Sequence, residues 1–239
     1  MSEMAVESTT YPAVATAFRR YFVWTQIVVV FLLLELAIWA STVEIRNRWA
    51  AISGITILVL VVTDLLMDQS GSLRPLGSLR ASFYRLGLGS PKVADTGVVL
   101  GIGLATLLFM MIFVRSLGGQ IPANPTWFPN LRLTWGYVVW SLIQEFILQS
   151  FFFSRFEELY GGPAAVWIAA TLFAAVHLPN PILTTATLIG ALFFCEGFRR
   201  YRSVYPLAIV HAMLGLTIAL TVPESLLHHM RVGIGYLRY

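Results

Sequence analysis

Glu145, His177 and His211 are the side chains of this sequence whose chemistry most needs a reason. Each lies inside an apolar run, where an ionisable group costs about 2.5–3.5 kcal/mol on membrane-insertion scales. Gln144 and Gln149 flank Glu145, and Ser141 precedes it by one helical turn. At 100° per residue, Gln144, Glu145 and Gln149 fall within about 140° of arc, one face of one helix. Polar groups on three helices of one bundle are least costly where they meet. A carboxylate with two imidazoles can activate water, hold an oxyanion and return a proton to a leaving group. The same three side chains, Glu145, His177 and His211, are also a ligand set that zinc uses in hydrolases. The residue types leave both readings open.

The other charges inside apolar runs have plainer accounts. Glu196 has Arg199 and Arg200 at i+3 and i+4, an ordinary helix-end ion pair. Asp64 and Asp68 are expected to reach the interface, and Glu157 and Glu158 to be solvated at a helix end. Glu35 reads two ways, against a polar group of another span or in a water-filled cleft. Cys195 stands alone, so no intrachain disulfide and no cysteine-based metal site is expected, and packing as a small residue accounts for it.

Helices must position these groups. Crossing about 30 Å of hydrocarbon takes about 20 mostly apolar residues. The runs Phe22–Thr42, Trp49–Met67, Thr96–Leu117, Leu133–Leu159, Pro163–Leu178, Ile182–Phe198 and Val204–Val222 meet or approach that length. The fold class expected is therefore all-α, a polytopic transmembrane helical bundle of about seven spans. Polar segments separate the runs at Asp68–Asp95 and at Gly118–Arg132, where Pro122, Pro125 and Pro129 disfavour a continuous helix. Gly161, Gly162 and Pro163 break the chain after the fourth run, and Pro179-Asn180-Pro181 after the fifth. Residues 1–21 read as an N-terminal cytoplasmic tail, 22–222 as one transmembrane helical domain, and 223–239 as an interfacial C-terminal tail. The first run exceeds a cleavable signal's apolar core and is expected to be retained.

Composition agrees. Hydrophobic residues make up 57 % of the 239 and charged residues 12 %, about half the charged share of an ordinary globular chain. The mean hydropathy is +0.75. Fifteen of the 16 Lys and Arg residues are arginines scattered between the runs, so the net charge of +4 marks membrane orientation and not a nucleic-acid surface. With seven spans, ten cations fall on the N-terminal side and six on the other, which puts the N-terminus in the cytoplasm. Compact loops and the lack of organelle signals point to a prokaryotic plasma membrane.

Around the three ionisable residues, the sequence resembles the CPBP intramembrane proteases. These include the type II CaaX prenyl endopeptidases and bacteriocin-processing or Abi-type proteins. Gln144-Glu145-Phe-Ile-Leu-Gln149 stands where that family has Glu-Glu-x-x-x-Arg, with Arg155 in register. Phe173-Ala-Ala-Val-His177 keeps its Phe-x-x-x-His motif, and His211-Ala-Met-Leu-Gly215 stands where it has His-x-x-x-Asn or Asp. Gly190-Ala-Leu-Phe193, Ser203-Val204-Tyr205-Pro206 and, upstream, Arg85-Leu86-Gly87-Leu88 also fit, so the likeness covers roughly 85–220.

The resemblance implies an intramembrane endopeptidase acting on a membrane-associated peptide, including one lipidated or prenylated at its C-terminus. In the family the first Glu of motif one activates water. Here that position is Gln144, so Glu145 is expected as the base. His177 and His211 would hold the water, a zinc ion or the oxyanion, and Gln144 would orient water or substrate. Gln149, Ser141, Phe173 and Gly215 would support the site. Partners expected are membrane lipid and the peptide, without nucleic acid. The alternative is a catalytically inactive member acting as a membrane binding or chaperone-like protein, favoured by Gln144, Gln149 and Gly215. A transporter lined by Glu35, Glu145 and the histidines ranks last, since no internal repeat is visible.

Overall fold

A computed structural model describes residues 7–67, 73, 75–116 and 131–238. The proline-bearing segment with Pro122, Pro125 and Pro129, Asp68 and residues 1–6 lie outside the described residues. No strand occurs among the described residues, and the regular structure is helical.

The chain divides into two compact units, Met1–Thr56 and Ile57–Tyr239. The first holds helix α1 (Glu7–Ile38) and the opening turns of α2 (Val43–Leu66). Helix α1 therefore begins well before the apolar run at Phe22 and extends through part of the segment read as a tail. Just past its end, Trp39 Nε1 donates to Glu35 Oε2 at 2.9 Å, so Glu35 finds a partner four residues along the chain.

The second unit holds the remainder of α2 and every candidate site residue. Helix α3 (Leu76–Arg85) lies in the polar segment, where Pro75 precedes it and fixes the entering backbone. Helix α4 (Val93–Ser116) carries Asp95 in its first turn and Arg115 in its last, complementing its dipole. Helix α5 (Leu131–Glu145) runs straight into a π-helical segment, Phe146–Phe153, and then α6 (Ser154–Tyr160). Helix α7 (Gly162–Ala175) follows the break at Gly161, whose φ is +81°. Helix α8 (Pro181–Tyr201) is capped by Asn180, whose Oδ1 accepts from Leu183 N at 3.0 Å. A left-handed Arg202 ends α8 and starts the corner into α9 (Val204–Thr221). Helix α7 packs along α8, and α9 lies against both α4 and α5.

Five described helical stretches are long and apolar enough to cross a membrane: Ala17–Ile38, Val43–Leu66, Val93–Ser116, Pro181–Tyr201 and Val204–Thr221. The other two expected spans are the composite helix from α5 to α6 and the 14-residue α7. Large apolar side chains stand exposed on these helices, among them Phe109, Ile112 and Trp167 at 65–69 %. Water would penalise such surfaces, and acyl chains do not. The chain is an integral, multi-pass, all-α membrane protein.

The Arg85-Leu86-Gly87-Leu88 stretch acts as a bracket. Ser150 Oγ donates to Leu86 O at 2.7 Å, Val204 N to Gly87 O at 3.1 Å, and Tyr205 Oη to Leu88 O at 3.2 Å. It thereby ties the π segment and the start of α9 to one turn. Gly87 has φ +73°, and a Cβ there would lie 2.3 Å from Phe198 Cε2, so both conformation and space demand glycine.

The tail after Val222 folds back in short turns. Asn180 Nδ2 donates to Leu227 O at 3.0 Å and Arg231 O at 3.2 Å, and Gly233 N donates to Leu178 O at 2.8 Å. Leu227 is buried by this packing.

Candidate active site

Glu145 is the last residue of α5, at the junction with the π segment, and it is fully buried. A π-helical turn carries one extra residue and often marks a functional position. Here it lets Ser154 Oγ reach back five residues to Gln149 O at 3.0 Å. Gln149, also fully buried, donates from Nε2 to Glu145 Oε2 at 3.1 Å. The other carboxylate oxygen meets helix α9, where His211 Nδ1 lies 2.8 Å from Glu145 Oε1. Both oxygens therefore have protein donors, which a buried carboxylate requires.

Aromatic rings fix the two imidazoles. Phe194 of α8 stacks on His211, with centroids 5.2 Å apart and planes 12° from parallel. Phe173 meets His177 at 4.9 Å and presents its edge to His211 at 6.2 Å. His177 sits just past the end of α7, and its Nδ1 lies 2.8 Å from Phe173 O. A carbonyl oxygen only accepts, so Nδ1 of His177 carries the proton. The carboxylate imposes the same tautomer on neutral His211. Each ring is left with Nε2 as its free, basic nitrogen.

Of the residues read from the sequence, Glu145, Gln149 and His211 are joined by hydrogen bonds, and Phe173 links His211 to His177. Ser141 is fully buried one turn before Glu145. Gln144 is half-buried. Gly215 is buried one turn beyond His211, and the Tyr137 hydroxyl fills the space beside it: a Cβ on Gly215 would lie 2.0 Å from that oxygen.

Glu145 stands on the Nδ1 side of the His211 ring, opposite Nε2, so an ion bound at Nε2 would find the carboxylate behind the ring. Among the described residues no three His, Cys, Asp or Glu side chains group so as to hold a metal ion. The set of Glu145, His177 and His211 does not fit zinc in this arrangement.

Several contributors were not read from the sequence. Phe194, and not its neighbour Phe193, stacks on His211. Cys195 lies beside Gln149 and Glu145, so its packing is against the site itself. Asp64, expected at the interface, forms an ion pair with the buried Arg155 at 2.9 Å. Arg155 also lies 3.8 Å from the Phe151 ring centroid and donates to Phe151 O at 3.3 Å. Glu157, expected in water, is paired with Arg202. The anticipated pairing of Glu196 with Arg199 and Arg200 is present, at 2.7 and 2.5 Å.

A buried carboxylate is bound to an imidazole, with a second imidazole alongside, inside a multi-pass helical bundle, and groups of these types can exchange protons. Residues 125–217 match the family described as type II CAAX prenyl endopeptidase Rce1-like, which bears out the resemblance read from the motifs. The match runs through α5, the π segment and α6 to α9, and so contains Glu145, His177 and His211. No curated protein and no solved structure matches the chain.

Proposed function

We propose that this protein is an intramembrane endopeptidase that hydrolyses a peptide bond in a membrane-associated peptide, including one prenylated near its C-terminus. The observation that carries the reading is the 2.8 Å contact between His211 Nδ1 and the fully buried Glu145. In lipid, an unused pair of this kind is costly to keep.

The sequence suggested Glu145 as the direct base. The hydrogen bonds favour a relay of roles. Glu145 accepts from Nδ1–H of His211, holds its tautomer and stabilises the imidazolium once formed. His211 Nε2 takes a proton from water while the water oxygen bonds to the scissile carbonyl carbon. His177 Nε2 accepts the water's other hydrogen and aligns it. The carbonyl oxygen becomes an oxyanion. On collapse the C–N bond breaks, and the leaving amine takes the proton from Nε2 of His211. A new carboxyl terminus and a new amine result. Half-buried Gln144 offers a carboxamide to water or substrate. No step is routed through a metal.

The non-catalytic reading draws on Gln144, Gln149 and Gly215, which replace a base, a cation and a carboxamide or carboxylate of the family pattern. Two of these positions are locally compensated. Gln149 still donates to Glu145, and the Tyr137 hydroxyl occupies the space beside Gly215. That compensation favours the catalytic reading. On this reading the arginine asymmetry of the loops puts the N-terminus in the cytoplasm, and the compact loops favour a prokaryotic plasma membrane.

The test is cleavage of a quenched-fluorescent peptide ending in a farnesylated CaaX sequence by the purified chain in detergent. Hydrolysis that disappears in His211→Ala supports the proposal. A wild-type chain that binds the peptide and leaves it intact overturns it in favour of the binding protein.

A further inference from the structure

We propose that Tyr137 is a further catalytic residue, whose phenolic hydroxyl donates to the oxyanion formed during hydrolysis. The inference rests on the endopeptidase reading above. Its geometric basis is the fit between Tyr137 and Gly215. A Cβ at position 215 would lie 2.0 Å from the Tyr137 oxygen, 2.8 Å from Cζ and 3.0 Å from Cε1. No side chain other than hydrogen can share that space with the phenol. Gly215 leaves the room that the Tyr137 hydroxyl occupies.

The place is significant. Tyr137, Ser141 and Glu145 follow at i, i+4 and i+8, along one face of α5. Gly215 and His211 are one turn apart on α9, the helix packed against it. The contact of Tyr137 with Gly215 and the bond of Glu145 to His211 are two points on a single helix seam. Buried Ser141 lies beside the Tyr137 hydroxyl and completes a polar line between them.

Chemistry supplies the role. Both imidazoles carry their proton on Nδ1 and spend it on Glu145 and on Phe173 O, so neither neutral ring offers a donor to an oxyanion. Gly215 offers no side chain. A phenol donates strongly to developing negative charge, and the seam holds it in place before reaction, so no reorganisation is needed.

Plain space-filling would place a ring beside Gly215 equally well, and the experiment separates the two. The full chain in detergent is assayed on the farnesylated quenched-fluorescent peptide as wild type, Tyr137→Phe and Glu145→Ala. Tyr137→Phe keeps the ring and removes only the hydroxyl. The expected result is a fall in kcat of about 100-fold or more, with KM little changed. Tyr137→Ala combined with Gly215→Asn, which returns a carboxamide to the vacated space, is expected to recover activity over Tyr137→Ala alone. Wild-type kcat in Tyr137→Phe, with Glu145→Ala inactive, overturns the role of Tyr137 and leaves the endopeptidase standing. A change confined to KM also overturns it. A wild-type chain without cleavage overturns both.

Discussion

Gln149 reaches four residues back along its own helix and donates to Glu145 at 3.1 Å, while Glu145 in turn binds His211 across the helix seam at 2.8 Å. The carboxylate is thus held from two sides. In the resembled motif, the position of Gln149 is an arginine. A full positive charge there would draw on the same oxygen that Gln149 now engages. A carboxamide holds the carboxylate in place and leaves its charge available to His211.

Gln149→Leu tests this support. It removes the Gln149 donor from the buried Glu145 Oε2. A loss of about 1–3 kcal/mol is expected. The melting temperature in detergent should fall, and kcat should fall with it. Gln149→Asn, too short to reach, should behave like Leu. Unchanged melting in both would show that the bond contributes nothing to holding Glu145.

Arg155 gives a second, independent prediction. Its side chain is 4 % exposed, and it joins Asp64 of α2 to the far end of the π segment. Removing either member takes away a charge-assisted bond to a buried guanidinium, at a cost of about 1.5–3 kcal/mol. Asp64→Ala and Arg155→Ala should both lower the melting temperature sharply. Arg48→Ala, which breaks the exposed pair with Glu44, should leave it unchanged. Equal effects of the buried and exposed pairs would contradict the assignment.

Metal removal is the third. Because Glu145 lies behind His211 Nε2, cleavage should survive dialysis against a strong chelator, and zinc should not restore a His177→Ala variant. Loss of activity with the chelator, recovered on adding zinc, would mean that the site rearranges to bind the ion.

The fold class was legible because apolar runs of span length separated by arginine-bearing segments admit few other structures. Glu145, His177 and His211 were legible because lipid makes any ionisable residue conspicuous. Other parts carried no such signal. Tyr137 looks like an ordinary aromatic within an apolar run, and only the space beside Gly215 reveals it. Phe193 and Phe194 are adjacent and alike, and helix phase alone decides which meets His211. The π segment adds a residue to a turn, which a 3.6-residue reading cannot register. Asp64 and Arg155 are far apart in sequence and on different helices, so neither points to the other in the sequence. The length of α7 was also hidden, because its apolar character continues into the turn that carries His177.

We propose that Glu145 and His211 act as one unit. A double-mutant cycle on kcat tests it most directly, using Glu145→Gln, His211→Ala and their combination against the farnesylated peptide. Each single variant should lose about 10³–10⁴-fold, and the double variant should be no worse than the weaker single. Losses that multiply in the double variant, or a single variant that retains the wild-type rate, would contradict the account.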